Sequence, residues 1–134
     1  MRRAAQLTLF LAAAQVLPAA AFDPLKDVPV VLAGGVLSVT LPEGVHLKVR
    51  SFKVALISRG ALTCAALPPT RETDDAGDPI LRGTVRVRLS GRALEDPARL
   101  RVTYQPCTEG PDGVCFLPVN RALTAPAGEI SEEP

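Results

Sequence analysis

The sequence has no tryptophan, one tyrosine, four phenylalanines and one histidine among its 134 residues. So few rings argue against a stacking platform for nucleic-acid bases. Without Trp, the antibody-type core signature of a tryptophan packed on an inter-sheet disulfide is also missing. A surplus of charge is lacking too. Setting aside Arg2 and Arg3, the 13 basic residues left face 14 acidic ones, which speaks against nucleic acid or an anionic membrane surface as a partner. No amphipathic helix of useful length, no internal repeat and, beyond residue 21, no apolar run long enough to cross a bilayer can be found.

What is present begins with an export signal. Arg2 and Arg3 form a basic n-region, Ala4 to Leu17 an apolar h-region, and Ala19-Ala20-Ala21 a small-residue cleavage site, so residues 1–21 read as a signal peptide and Phe22 as the mature N-terminus. A retained membrane anchor is the alternative. No cysteine follows the apolar run, which leaves a lipoprotein without support. The expected location is the periplasm or another extracytoplasmic compartment, with no stable membrane insertion after cleavage. There, cysteine pairs normally oxidise.

The body of the chain alternates. Leu37, Val39 and Leu41 share one face of a strand; Val45, Leu47 and Val49 share another, with His46, Lys48 and Arg50 facing outward; Phe52, Val54 and Leu56 continue a third. Val85, Val87 and Leu89 alternate with Thr84, Arg86 and Arg88, and Leu100, Val102 and Tyr104 with Arg101, Thr103 and Gln105. Gly91 to Ala98 reads as a connection with a helical turn before Pro97, Val119 to Leu123 as the last strand, and 125–134 as a frayed tail without hydrophobic pattern. Seven or eight short strands with frequent turn signals predict an all-β fold: an immunoglobulin-like antiparallel β-sandwich over residues 22–124.

Chemistry concentrates in Leu100 to Pro118. Pro106 stops the strand, Cys107 follows, Thr108 to Gly113 is turn-forming, and Cys115 opens the next apolar segment. Cys107 and Cys115 thus face each other across a hairpin-like loop, close enough to form a disulfide. Two readings stand: a structural staple contributing about 2–3 kcal/mol, or a redox pair cycling between dithiol and disulfide. Cys64, third of an odd count, reads as a buried free cysteine; a third redox partner or an intermolecular link is the alternative.

Tyr104-Gln105-Pro106-Cys107 with Val114-Cys115-Phe116-Leu117-Pro118 resembles the Tyr-Gln-x-Cys … Cys-x-Pro-Pro motif of the amino-terminal domain of the DsbD protein-disulfide reductase family. Pro42 to His46 and Leu81 to Val85 resemble flanking segments of that domain, so the likeness runs over about residues 36–124. The resemblance implies an immunoglobulin-like periplasmic domain whose cysteines relay reducing equivalents. Donors would be a thioredoxin-like protein or domain and a membrane-embedded thiol electron transporter. Acceptors would be oxidised extracytoplasmic thiol proteins, disulfide isomerases and cytochrome c maturation proteins among them. It also implies roles: Cys115 forms the mixed disulfide and Cys107 resolves it. No cofactor or metal is called for. The sequence departs from the motif in a seven-residue loop between the cysteines, in Val119 where the second proline stands, and in a 70–79 segment without the aromatics of the family's cap. A non-catalytic β-sandwich binding module with a structural disulfide is the rival reading.

Around the pair, His46 reads as an ordinary exposed strand histidine, with thiolate tuning or metal binding as alternatives and no ligand spacing for the latter. The acids Glu72, Asp74, Asp75 and Asp78 read as a solvated loop; in a cap, Glu72, Asp74 and Asp75 would raise a nearby thiol's pKa. Arg82, Arg86, Arg88, Arg99 and Arg101 read as one sheet's solvated outer face, with a docking surface for an acidic partner as the alternative.

Overall fold

A computed structural model describes residues 21–64 and 67–130 of the chain. The signal peptide expected at 1–21 therefore lies, apart from Ala21, outside the described residues. Among those described there is one 3₁₀ turn, Val49–Ser51, and no α-helix.

The longest strand, β7 (Thr84–Ala93), organises the largest sheet. Along its first half it pairs with β2 (Val36–Thr40), which in turn pairs with β1 (Val30–Ala33). Along its second half it pairs with β5 (Gly60–Cys64) and with β11 (Gly128–Glu129). Residues 92 and 93 have partners in both, so β5 and β11 flank that end from opposite sides. A second sheet orders β10 (Val119–Ala125), β8 (Ala98–Tyr104) and β4 (Lys53–Leu56). A third orders β6 (Ile80–Arg82), β3 (Val45–Lys48) and β9 (Pro106–Thr108). All pairings between these strands are antiparallel, and the architecture is the expected immunoglobulin-like β-sandwich.

Along β2, β7 and β8 the alternation read from sequence is the burial pattern observed, whereas in β3 His46 is buried as well, β4 shows no alternation, and Val49 and Arg50 leave the strand for the 3₁₀ turn. Val85, Val87 and Leu89 are buried while Thr84, Arg86 and Arg88 are exposed, and Leu100, Val102 and Tyr104 are buried while Arg99 and Arg101 are not. With Leu37, Val39, Val45 and Leu47 they form one apolar cluster fed by all three sheets. Removing this apolar surface from water is the main force holding the sheets together. The lead-in is tied to the cluster as well: Phe22 and Val28 are buried in it. The Tyr104 hydroxyl donates to the Pro24 carbonyl at 2.6 Å, and Arg121 donates to the Leu25 and Val28 carbonyls at 2.9 Å.

Three expectations differ from the fold. Gly91–Ala93 continue β7, and the short turn that follows, containing a cis Asp96–Pro97 bond, holds no helical turn. Gly91 carries the strand past β5 because a Cβ there would sit 2.2 Å from the Ala61 carbonyl oxygen. The segment after 124 is not simply frayed: Gly128–Glu129 pair with β7, and Ile130 is buried in the apolar cluster. A two-residue strand and one isoleucine are too short to register as periodicity. The five arginines share no face, since Arg86 and Arg88 lie on β7, Arg99 and Arg101 on β8, and Arg82 on β6, in three sheets.

Ile130→Ala should lower unfolding free energy by about 2–4 kcal/mol in urea titrations, as truncation of a buried isoleucine does. An exposed tail residue would show no change.

Candidate functional site

At Tyr104 the chain leaves the second sheet. Gln105 makes the crossing, its carbonyl accepting from the Lys48 N–H at 3.1 Å, and β9 pairs with β3. Pro106 has no N–H to donate, so the change of sheet falls where the ladder would lose a bond anyway. The register sets Leu47 opposite Pro106, His46 opposite Cys107 and Val45 opposite Thr108.

Past the turn the chain returns alongside β9. Thr108 N–H donates to the Val114 carbonyl at 2.8 Å and Phe116 N–H to the Pro106 carbonyl at 3.0 Å. These bonds flank Cys107 and Cys115, making them a non-hydrogen-bonded pair, the type in which cross-strand side chains come closest. Their Cα atoms are 3.9 Å apart, and the two sulfurs form a disulfide. Gln105 fastens this return strand: its amide donates to the Phe116 carbonyl at 3.0 Å and accepts from the Ser51 hydroxyl at 2.7 Å. Gly113 lets the turn close, since a Cβ there would lie 2.3 Å from the Thr108 carbonyl oxygen.

The two cysteines are not equivalent. Cys107 is 1 % exposed, whereas Cys115 is exposed. Beside Cys115, Val114 is 48 % and Leu117 85 % exposed, and Phe116 packs edge-to-face on Phe22 with centroids 5.5 Å apart. Of Cys64, β5 gives the backbone position opposite Leu89; its expected burial lies outside the described side chains.

The outward face of β3 is covered. His46, expected to be exposed, is 8 % exposed. The 70–79 segment folds back over this face, its Thr73 bridging to Pro79 and its acids turned onto cations: Asp74 and Asp78 on Lys48 at 2.8 and 3.1 Å, and Glu72 on Arg82 at 2.8 Å. It is a salt-bridged cover, not a merely solvated loop. Between it and the cysteine loop lies a cleft of about 340 Å³ lined by His46, Asp74, Arg82, Thr108, Glu109 and Gly113, among others. There His46 Nδ1 lies 2.8 Å from a Glu109 oxygen that also accepts from Arg82. His46 Nε2 is buried and has no partner. Glu109, within the turn-forming run, is brought here by its N–H bond to the Gly44 carbonyl at 2.9 Å; no local signal distinguishes it from other loop acids.

Burial, chiefly, and then the Arg82 charge push the His46 pKa below its usual 6.5; Asp74 and Glu72 oppose this and Lys48 adds to it. Lys48, first, together with backbone donors holds Asp74 down at about 2.

A β-sandwich carrying a disulfide at a sheet-crossing loop, with one cysteine buried and the other exposed, is the class that fold and site define. In structure the chain is similar to the DsbD N-terminal domain of Neisseria meningitidis, crystallised in the reduced form, at 18% sequence identity over 84% of this chain and 95% of that one, with a TM-score of 0.57. At that identity the likeness establishes the fold. No protein-family model and no curated protein matches the sequence.

Two pH windows follow from the shifted groups. A histidine whose folded pKa is lowered leaves the folded state binding fewer protons than the unfolded chain, so stability falls as pH drops below 6.5. An aspartate held at about 2 contributes stability above its ordinary 3.8 that is lost as pH falls from there toward 2. Thermal melts from pH 8 to 2 should therefore show two declines, with His46→Gln flattening the upper and Lys48→Met the lower.

Proposed function

We propose that this is an exported thiol–disulfide exchange domain in which the Cys107–Cys115 pair relays reducing equivalents between extracytoplasmic proteins. The observation that carries this reading is the asymmetry of the disulfide. Exchange proceeds by attack of a thiolate on an accessible sulfur through a mixed disulfide. At this site an incoming thiolate reaches Cys115 and not the buried Cys107. Cys115 is therefore the sulfur that binds the partner, and Cys107 the one that leaves and later resolves. These are the roles the motif resemblance implies.

Two further features support the reading. Neither cysteine belongs to the apolar cluster that holds the sheets together, so the dithiol form keeps its core. Val114 and Leu117 offer an exposed apolar rim beside Cys115, suited to a partner surface of thioredoxin-like type. In the reducing direction, the Cys115 thiolate attacks a partner disulfide and releases one partner thiolate. The Cys107 thiolate then attacks Cys115 Sγ and releases the second. The partner ends as a dithiol and this domain as a disulfide, ready to be reduced by a thioredoxin-like donor fed from a membrane-embedded transporter.

Cys107→Ser, presented with an oxidised thioredoxin-like protein, should accumulate a mixed disulfide on non-reducing gels. Cys115→Ser should give at least tenfold less, and Leu117→Asp in the Cys107→Ser background should slow adduct formation. The reduction potential should lie above about −300 mV, with the circular dichroism of the fold kept on reduction. A potential well below that value with loss of folding, or no adduct from either single-cysteine variant, would replace this reading with the stapled binding module.

A further inference from the structure

The proposed relay leaves one step without a device: Cys107 must become a thiolate inside a buried site. An apolar, nearly inaccessible thiol ionises poorly, and only the thiolate attacks a disulfide. The fold places one proton acceptor opposite it. His46 on β3 is the direct cross-strand partner of Cys107 on β9, which sets their Cβ atoms about 4.5–5.5 Å apart on the same face. Its other register partner is Arg82 on β6. With Cys115 bridged to Cys107, a single row crosses the sheet: Arg82, His46, Cys107, Cys115.

The hydrogen bonding of His46 fixes its chemistry. Glu109, also engaged by Arg82, sits on Nδ1 at 2.8 Å. As a carboxylate it accepts, so the neutral imidazole carries its proton on Nδ1 and leaves a bare lone pair on Nε2. That Nε2 is buried and without a partner, an arrangement that costs free energy if nothing uses it. A nucleophile, a base beside it and a carboxylate orienting the base is the arrangement that activates weak nucleophiles in general.

Resting on the relay reading, we propose that His46 is the proton acceptor for the resolving thiol. With a partner held on Cys115, the Cys107 thiol turns to Nε2 and gives up its proton. The resulting thiolate attacks Cys115 Sγ, the Cys107–Cys115 bond forms and the Cys115–partner bond breaks. The electron pair leaves on the partner's sulfur, which takes a proton from the imidazolium or from solvent. The charged groups facing His46 suit the task. Arg82 from β6 and Lys48 from β3 favour the neutral ring, Asp74 and Glu72 from the covering segment favour the imidazolium, and burial favours the neutral form most of all. The ring is therefore an unprotonated base at neutral pH and returns the proton readily.

The step is read by mixing reduced protein, carrying Cys64→Ala in every variant, with oxidised glutathione and quenching for mass spectrometry. Glutathionylation at Cys115 is the first step, and release of glutathione on closure is the second. His46→Gln should slow closure about tenfold at pH 7, and the deficit should vanish as pH rises to about 10, where the thiol ionises unaided. Glu109→Gln, which keeps the imidazole but removes its orienting carboxylate, should show a smaller deficit with the same pH dependence. Closure as fast as in the parent at pH 7, or a deficit equal at every pH, would overturn the proposal, the latter marking a merely structural histidine. If protein partners form no adduct while closure with glutathione keeps its dependence on His46, the relay reading falls and this assignment stands. If no closure occurs at all, both fall.

Discussion

Everything at the cysteine site depends on the register between β3 and β9. Side chains alternate faces along a strand, so a slip of one residue would turn Cys107 toward the apolar cluster and set Leu47 against it in place of His46. Several independent constraints hold the register. Lys48 N–H meets the Gln105 carbonyl at one end, and Glu109 N–H meets the Gly44 carbonyl at the other. Val45 and Leu47, at 2 % and 0 % exposure, can satisfy the core only in this phase. The same phase sets Cys107 in a non-hydrogen-bonded pair with Cys115. One choice of pairing thus creates both the disulfide and its neighbour, and a sandwich core enforces that choice.

The second organising effect is electrostatic. A strand face bearing His46 and Lys48 would ordinarily look into solvent. Here the 70–79 segment carries enough carboxylate to fold onto it, with Asp74 and Asp78 meeting Lys48 and Glu72 meeting Arg82. The turn in this cover is closed by Asp74 itself, which accepts from the Ala76 and Asp78 N–H groups at 2.9 Å. Exposed ion pairs contribute little singly, but these hold the segment over two neighbouring strands, through Lys48 on β3 and Arg82 on β6, and exclude water from the face that carries His46. That exclusion, not any special property of the residue, makes His46 a buried imidazole. Where an aromatic cap would shield a disulfide by bulk, this chain covers the adjoining face with salt bridges.

How much of this could be read from the chain depends on range. Strands β2, β7 and β8 announce themselves because a sandwich buries one face and wets the other, and Leu37–Val39, Val85–Leu89 and Leu100–Tyr104 carry that contrast locally. The cysteine pair is legible for the same reason: strand end, turn and strand restart lie within one short stretch. His46 was not legible as a buried group, because alternation reports that a strand has two faces and not what lies over the second. Glu109 meets His46 across 63 positions of sequence, a contact that exists only after β9 has changed sheets. Ile130 fills the cluster from a two-residue strand with no period to detect. The arginines mislead in the opposite way, since identical local patterns on β7 and β8 belong to different sheets.

The placement of the disulfide separates stability from chemistry. A staple gains most when it closes a long loop of the unfolded chain; this one spans 8 positions, in a domain whose apolar cluster draws on every sheet without it. By loop length the bond is worth about 2–3 kcal/mol, and the apolar cluster is built without it. The return strand is attached independently of the disulfide, through the flanking backbone bonds and through Gln105, an attachment that would keep the two sulfurs opposed in a dithiol. Closure then needs only rotation of side chains on a fixed ladder. A pair held in this way loses little entropy on oxidation, which favours rapid closure once a thiolate is available. In the proposed exchange, with geometry set by the ladder and access by the exposure of Cys115, the protonation state of Cys107 is the variable left to control the rate, and the residue across from it is His46.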